Sequence, residues 1–130
     1  MQRNYKNLMK KKILIVEDEP SLLRLLSNEI KDLDYDVVEA RDGEQALILF
    51  KKERPDLVLL DIVLPLMNGF DVLERIKIKQ RSKVPVIIIS NLSGQGDAEL
   101  AKNLGALDYL IKSKMTITEI MIKVNKSLEG

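Results

Sequence analysis

Short apolar runs alternate with longer segments of helical period along almost the whole chain. The first run, 12–16, carries Ile13, Leu14, Ile15 and Val16 and predicts a strand. Pro20 suits the first turn of a helix, and Leu22, Leu23, Leu25, Leu26, Ile30 and Leu33 follow at helical spacing. Residues 36–40, centred on Val37 and Val38, predict a second strand. Asp42 and Gly43 make a turn, and Ala46, Leu47 and Phe50 form the stripe of a second helix. Pro55 and Asp56 lead into a third strand at 57–60. The segment 62–69 is predicted irregular because it holds Pro65 and Gly69, and Phe70, Leu73 and Ile76 mark the next helix. A fourth strand is predicted at 86–89, a weak helix at 98–104 ended by Gly105, and a fifth strand at 108–111. Ile117, Ile120, Met121, Val124 and Leu128 form the last stripe.

Five βα units in succession predict an α/β domain with a parallel sheet. Right-handed crossovers with helices on both faces favour the doubly wound, flavodoxin-like order 2-1-3-4-5. In that order the chain reverses direction between strands 1 and 3, and ligands bind at such a point, beyond the carboxyl ends of the strands. Glu17 and Asp18 directly follow the first run, and Asp61 directly follows Leu57-Val58-Leu59-Leu60. An unpaired carboxylate beside a buried strand is costly, so these acids mark a site.

Composition narrows the chemistry of that site. The 130 residues contain neither Cys nor His, which excludes disulfides, thiolate or imidazole metal ligation, and acid–base work by histidine. No apolar stretch approaches the ~20 residues of a membrane span, and the polar, basic start has no secretory core. A cytoplasmic protein without membrane contact is expected. The net charge of +1 hides an asymmetry: Arg3, Lys6, Lys10, Lys11 and Lys12 place +5 in the first twelve residues. Sixteen basic and twenty acidic side chains remain, so the rest carries −4. The division expected is a basic, solvated arm over 1–11 and one domain over 12–130. The arm alone does not imply nucleic-acid binding, and none is expected.

Oxygen ligands at 17, 18 and 61 suit Mg²⁺, or Mn²⁺, better than zinc or copper. Mg²⁺ commonly uses one or two carboxylates together with phosphate oxygens, which makes a phosphoryl group the natural second component. Ser90 follows the fourth strand and offers a hydroxyl donor. Lys112 follows the fifth and offers a positive charge. Carboxylates can themselves accept phosphoryl groups, so the set suits phosphoryl transfer.

At these residues the chain resembles the receiver domain of two-component response regulators, the CheY-like domain, over about 12–129. The segments that carry the resemblance are Ile13 to Glu19, Leu59 to Gly69, Ile88-Ile89-Ser90, and Gly105-Ala106 through Tyr109-Leu110-Ile111-Lys112. The resemblance implies that Asp61 is the phosphoacceptor and that Asp18 binds Mg²⁺ directly. Glu17 would act through a coordinated water, and the Val63 carbonyl would complete the ligands. Ser90 and Lys112 would contact the phosphoryl group, and Tyr109 would be the aromatic of the switch. The implied partners are a sensor histidine kinase or histidine phosphotransfer protein and a downstream protein target. The implied state is a monomer, or a weak dimer through the fourth helix, fifth strand and fifth helix.

Four positions depart from the family pattern. Ser113 stands where the family usually has a cis proline, and a trans linkage or re-routed loop is expected because a non-proline cis bond costs about 2.5–4 kcal/mol. Val63 and Leu92, two residues beyond the acceptor and the hydroxyl, are apolar, which predicts slow autodephosphorylation. Asn91 replaces a very small residue and is expected to narrow access for small phosphodonors. The reading is a stand-alone receiver that works as a switch or relay and not as an enzyme on other substrates, unless the chain is a piece of a longer one. A receiver that no longer takes phosphate is the alternative. An aspartate-nucleophile phosphatase would want an Asp-x-Asp arrangement after the first strand, and a flavin or nucleotide binder would want glycines there; the sequence is Glu17-Asp18-Glu19-Pro20.

Overall fold

The protein is described by a computed structural model covering residues 10–92 and 94–129. Most of the arm predicted for 1–11 lies outside the described residues; Lys10 pairs with Asp34 at 3.5 Å and with Asp36 at 3.7 Å. Five strands, β1 (Lys12–Val16), β2 (Asp36–Ala40), β3 (Leu57–Asp61), β4 (Val86–Ser90) and β5 (Asp108–Ile111), form one parallel sheet in the order 2-1-3-4-5. The helices are α1 (Pro20–Asp32), α2 (Gly43–Glu53), α3 (Gly69–Glu74), α4 (Gln95–Asn103) and α5 (Ile117–Glu129). One π-helical turn, Arg75–Lys79, extends α3, and a 3₁₀ turn, Lys112–Lys114, follows β5.

Side chains alternate across a strand, and the three central strands use both faces. Ile13, Ile15, Leu57, Leu59, Ile87 and Ile89 pack with α1 and α5 through Leu26, Ile30, Ile120 and Val124. Leu14, Val16, Val58, Leu60, Val86 and Ile88 pack with α2, α3 and α4 through Ala46, Phe50, Leu73 and Ala101. Burial on both sides is why these strands read as unbroken apolar runs. Leu25 and Leu33, included in the α1 stripe, are in fact exposed; the buried line runs through Leu23, Leu26, Ser27 and Ile30.

Helix ends follow local chemistry. Pro20 occupies the first turn of α1, and Asp42 Oδ1 caps α2 by accepting from Gln45 N at 2.8 Å. Gly69 opens α3 rather than closing the irregular segment, with Asn68 Oδ1 accepting from Asp71 N at 3.1 Å. The fourth helix starts at Gln95, three residues earlier than its apolar pattern predicts, behind Gly94, which supplies no side-chain cap. It ends in a Schellman arrangement: Gly105 sits at φ +102°, Ala106 N donates to Ala101 O at 2.9 Å, and Gly105 N donates to Lys102 O at 3.0 Å. Thr116 and Glu119 form a reciprocal capping box on α5, Glu119 N to Thr116 Oγ1 at 3.1 Å and Thr116 N to Glu119 Oε1 at 2.9 Å.

Candidate functional site

Parallel pairing of β1 with β3 brings their carboxyl ends side by side, Val16 against Leu60. Glu17 continues the ladder through its N–H to Ala40 O at 3.0 Å, and its side chain is buried. Asp61, the last residue of β3, is buried as well. Lys112, just past β5, reaches between them: its Nζ lies 2.8 Å from Glu17 Oε1 and 2.9 Å from Asp61 Oδ2. Among the described residues these two acids share one cation, so the cluster carries a net −1.

The hydrogen bonds within the cluster are unequal. Asp61 Oδ2 accepts from Lys112, and Asp61 Oδ1 accepts from Val63 N at 3.3 Å, a turn bond of the kind Asp favours. Glu17 Oε2 accepts from Glu19 N at 3.0 Å. Glu17 Oε1, despite its 2.8 Å approach to the ammonium, has no aligned hydrogen-bond donor among the described residues. Burial raises the Glu17 carboxyl above its ordinary value; Lys112 and the Glu19 amide oppose the rise, and the Asp61 charge adds to it. Burial alone would lower the Lys112 ammonium, but its bonds and charge interactions with Glu17 and Asp61 outweigh burial and raise it. The two values thus move up for different reasons: Glu17 because burial outweighs its partners, and Lys112 because its two partners outweigh burial.

Asp18 is exposed, and its carbonyl accepts from Arg41 Nη2 at 3.5 Å. Among the described residues, no three carboxylates converge into a ligand cluster of their own. A divalent cation would therefore draw on few protein ligands, as Mg²⁺ commonly does. The oxygen-only donors and the residual negative charge fit such an ion.

Ser90 is fully buried at the end of β4, and its Oγ accepts from Leu92 N at 3.1 Å. Tyr109, half-buried on β5, donates its phenol to Leu92 O at 2.8 Å. The hydroxyl and the aromatic thus meet on one residue of the β4–α4 loop. Burial raises the Tyr109 phenol, the nearby Ser90 hydroxyl opposes the rise, and the charges of Asp97 and Asp61 add to it. The structure brings Glu17, Asp61 and Lys112 into contact and links Ser90 to Tyr109 through Leu92. The Lys112–Ser113 bond is trans, in line with the expectation for a non-proline residue, and Lys112 still reaches the carboxylates.

Behind Asp61, Gly69 N donates to Ile62 O at 2.8 Å. A Cβ at Gly69 would stand 2.3 Å from Asp61 O and 2.6 Å from Ile62 Cα. Both neighbours are backbone and cannot swing aside. Gly69→Ala is expected to destabilise the fold by roughly 2–3 kcal/mol, in the range of overpacked sites. Urea unfolding checks this, and an unchanged midpoint would show that the loop yields freely.

A five-stranded 2-1-3-4-5 sheet with a buried acid at the end of β3 and a lysine after β5 is the arrangement of a CheY-like receiver fold. The sequence model described as "Response regulator receiver domain" matches residues 13–125. The chain belongs to this family, whose members act in two-component signalling. It is 40% identical over 105 residues to "Probable transcriptional regulator ycf27" of Porphyridium aerugineum, covering 81% of this chain and 43% of that protein. It is 38% identical over 104 residues to the "Alkaline phosphatase synthesis transcriptional regulatory protein PhoP" of Bacillus subtilis, covering 80% and 43%. The chain thus spans less than half the length of these curated relatives. Among solved structures, the BeF₃-activated N-terminal receiver domain of Klebsiella pneumoniae RstA superposes with a TM-score of 0.85 at 28% identity, covering 92% of this chain and all of that one. A CheY-like receiver protein of Methanospirillum hungatei gives 0.86 at 27% identity, covering 92% and 94%. No helix among the described residues is long and apolar enough to cross a membrane.

Proposed function

We propose that Asp61 accepts a phosphoryl group from a sensor histidine kinase or a histidine phosphotransfer protein. The observation that carries the reading is the buried Asp61 held at 2.9 Å by Lys112, which also contacts the buried Glu17 carboxylate at 2.8 Å. A carboxylate oxygen of Asp61 forms the new bond to phosphorus as the bond from phosphorus to the donor imidazole breaks, and the imidazole leaves with the electron pair. Lys112 stays beside the acceptor and meets the charge that gathers on the transferring group. Asp18, Asp61 and the Val63 carbonyl would hold Mg²⁺, with Glu17 acting through a coordinated water and Mn²⁺ as a substitute. When bound, the ion supplies positive charge that offsets the paired carboxylates and the incoming phosphate.

Ser90 offers its hydroxyl to the attached group, and any movement of it is felt at Leu92 and hence at Tyr109. The output is a shift in the surface around β4, α4 and β5 that a downstream protein reads. The Mycolicibacterium smegmatis relative "DNA-binding response regulator MtrA" is named for DNA binding, but the matched region covers 45% of that protein. For the residues present here the proposed output is a protein contact.

The test is mass measurement after incubation with Mg²⁺ and acetyl phosphate or phosphoramidate, alongside an EDTA control. A single phosphoryl increment that EDTA removes supports the reading. No adduct on the wild type, together with no beryllofluoride complex, would leave a receiver scaffold that does not take phosphate. Val63 is 62% exposed and Leu92 37% exposed, and neither side chain can orient a water. Val63→Asn with Leu92→Glu is expected to speed decay of the adduct by about tenfold, less than the ~10²–10⁴-fold that a fully positioned acid–base group contributes. An unchanged decay rate would mean that these positions do not control hydrolysis.

A further inference from the structure

Asn91 and Ser113, two of the departures from the family pattern, meet in space. Ser113 N donates to Asn91 Oδ1 at 3.1 Å. Ser90 and Ile111 are register partners at the ends of β4 and β5, so this bond extends the cross-strand ladder beyond its last backbone pair. It joins the residue after the buried hydroxyl to the residue after the lysine. A proline at 113 would have no N–H to give, so the bond depends on that departure.

The backbone that carries Lys112 has little else to hold it. Lys112 opens a 3₁₀ turn of three residues, Lys112–Lys114, and the bond from Met115 N to Lys112 O is long at 3.4 Å. Ser113 and Lys114 are exposed. Turns this short have poor hydrogen-bond geometry and little stability of their own. Yet the ammonium must bridge two carboxylates at 2.8 and 2.9 Å, and small displacements of such groups weaken their electrostatic effect.

We propose that Asn91 is a positioning residue for Lys112: its side-chain amide latches the Ser113 N–H, and this bond, in place of a fixed proline ring, sets the direction from which Lys112 enters the site. The proposal rests on the phosphoacceptor reading of Asp61. Asn91→Ala removes the acceptor and Ser113→Pro removes the donor, whereas Ser113→Ala keeps the N–H and hence the bond.

The experiment combines amide hydrogen exchange at residue 113 with the kinetics of phosphoramidate labelling. In Asn91→Ala, exchange at Ser113 is expected to quicken by about five- to tenfold, the range of one modest hydrogen bond. The maximal labelling rate at saturating phosphoramidate is expected to fall by a similar factor, while the half-saturating Mg²⁺ concentration stays the same and the wider entrance left by Asn91→Ala shows only as a lower half-saturating phosphoramidate concentration. Ser113→Ala is expected to keep the slow amide exchange. Ser113→Pro combined with Asn91→Ala is expected to label no more slowly than the worse single variant, since both break one bond. Wild-type labelling with Asn91→Ala at the same maximal rate would overturn the latch alone. Fully additive losses in the double variant would do so too. No labelling of the wild type would overturn the phosphoacceptor reading and the latch with it.

Discussion

Asp61→Asn is expected to abolish the phosphoryl adduct and, in metal-free buffer, to make the protein more stable by about 1 kcal/mol, the size of gain often found when a functional residue is relieved of strain. Loss of the adduct follows because an amide offers no anionic oxygen to phosphorus. The gain in stability follows from the charge count in the cluster. Glu17 and Asp61 are both buried and share Lys112, and the Asp61 charge helps to raise the Glu17 carboxyl. Neutralising Asp61 leaves one acid with one base. The amide can keep an oxygen toward Lys112 and gives up only the 3.3 Å bond from Val63 N. Urea unfolding with EDTA measures the change. A variant less stable than the wild type would mean that the carboxylate pair is not in conflict.

That conflict could be foreseen only in part from the chain. The positions of the acids were legible because β1, β3 and β4 are buried on both faces, so that Leu57 to Leu60 reads as an apolar run and Asp61 as its abrupt end. The strand order followed from the βα alternation, and with it the meeting of Glu17 and Asp61. The fate of Asp18 was less legible. Successive side chains on extended backbone point to opposite sides, and the structure buries Glu17 while leaving Asp18 exposed.

Leu25 and Leu33 misled because a leucine suits a helix whether or not it faces the core. The start of α4 was hidden by Gly94 and Gly96, which resemble loop, and among the described side chains of that helix only Ala101 is fully buried. The Asn91–Ser113 bond had no linear signal: a side chain meets a backbone N–H twenty-two positions away.

Lys112→Met tests the same cluster from its other side and is expected to destabilise the metal-free protein by about 3 kcal/mol near neutral pH, the lower end for breaking a buried pair. Methionine keeps much of the stem's packing, so the loss reports the two carboxylates left without a cation. The penalty must depend on pH. In the wild type, burial raises Glu17 above 4.5, so the folded state holds that proton more tightly than the unfolded state. Its contribution to stability is complete below 4.5 and is lost as pH rises through the folded value. For Lys112, burial would lower the ammonium, but the two carboxylates hold it above 10.5. Its contribution is complete below 10.5 and is lost only as pH climbs through the folded value.

Removing the lysine takes away the bond and charge that hold the Glu17 carboxyl down, so stability should fall more steeply above pH 4.5 than in the wild type. The difference between variant and wild type should shrink toward acid, where Glu17 takes its proton and no longer needs a partner. Adding Glu17→Gln to Lys112→Met should recover part of the loss, because one buried charge is then left instead of two. Urea unfolding across this range with EDTA distinguishes the cases. A penalty independent of pH, or one that Glu17→Gln leaves intact, would assign the loss to packing of the lysine stem and not to its charge.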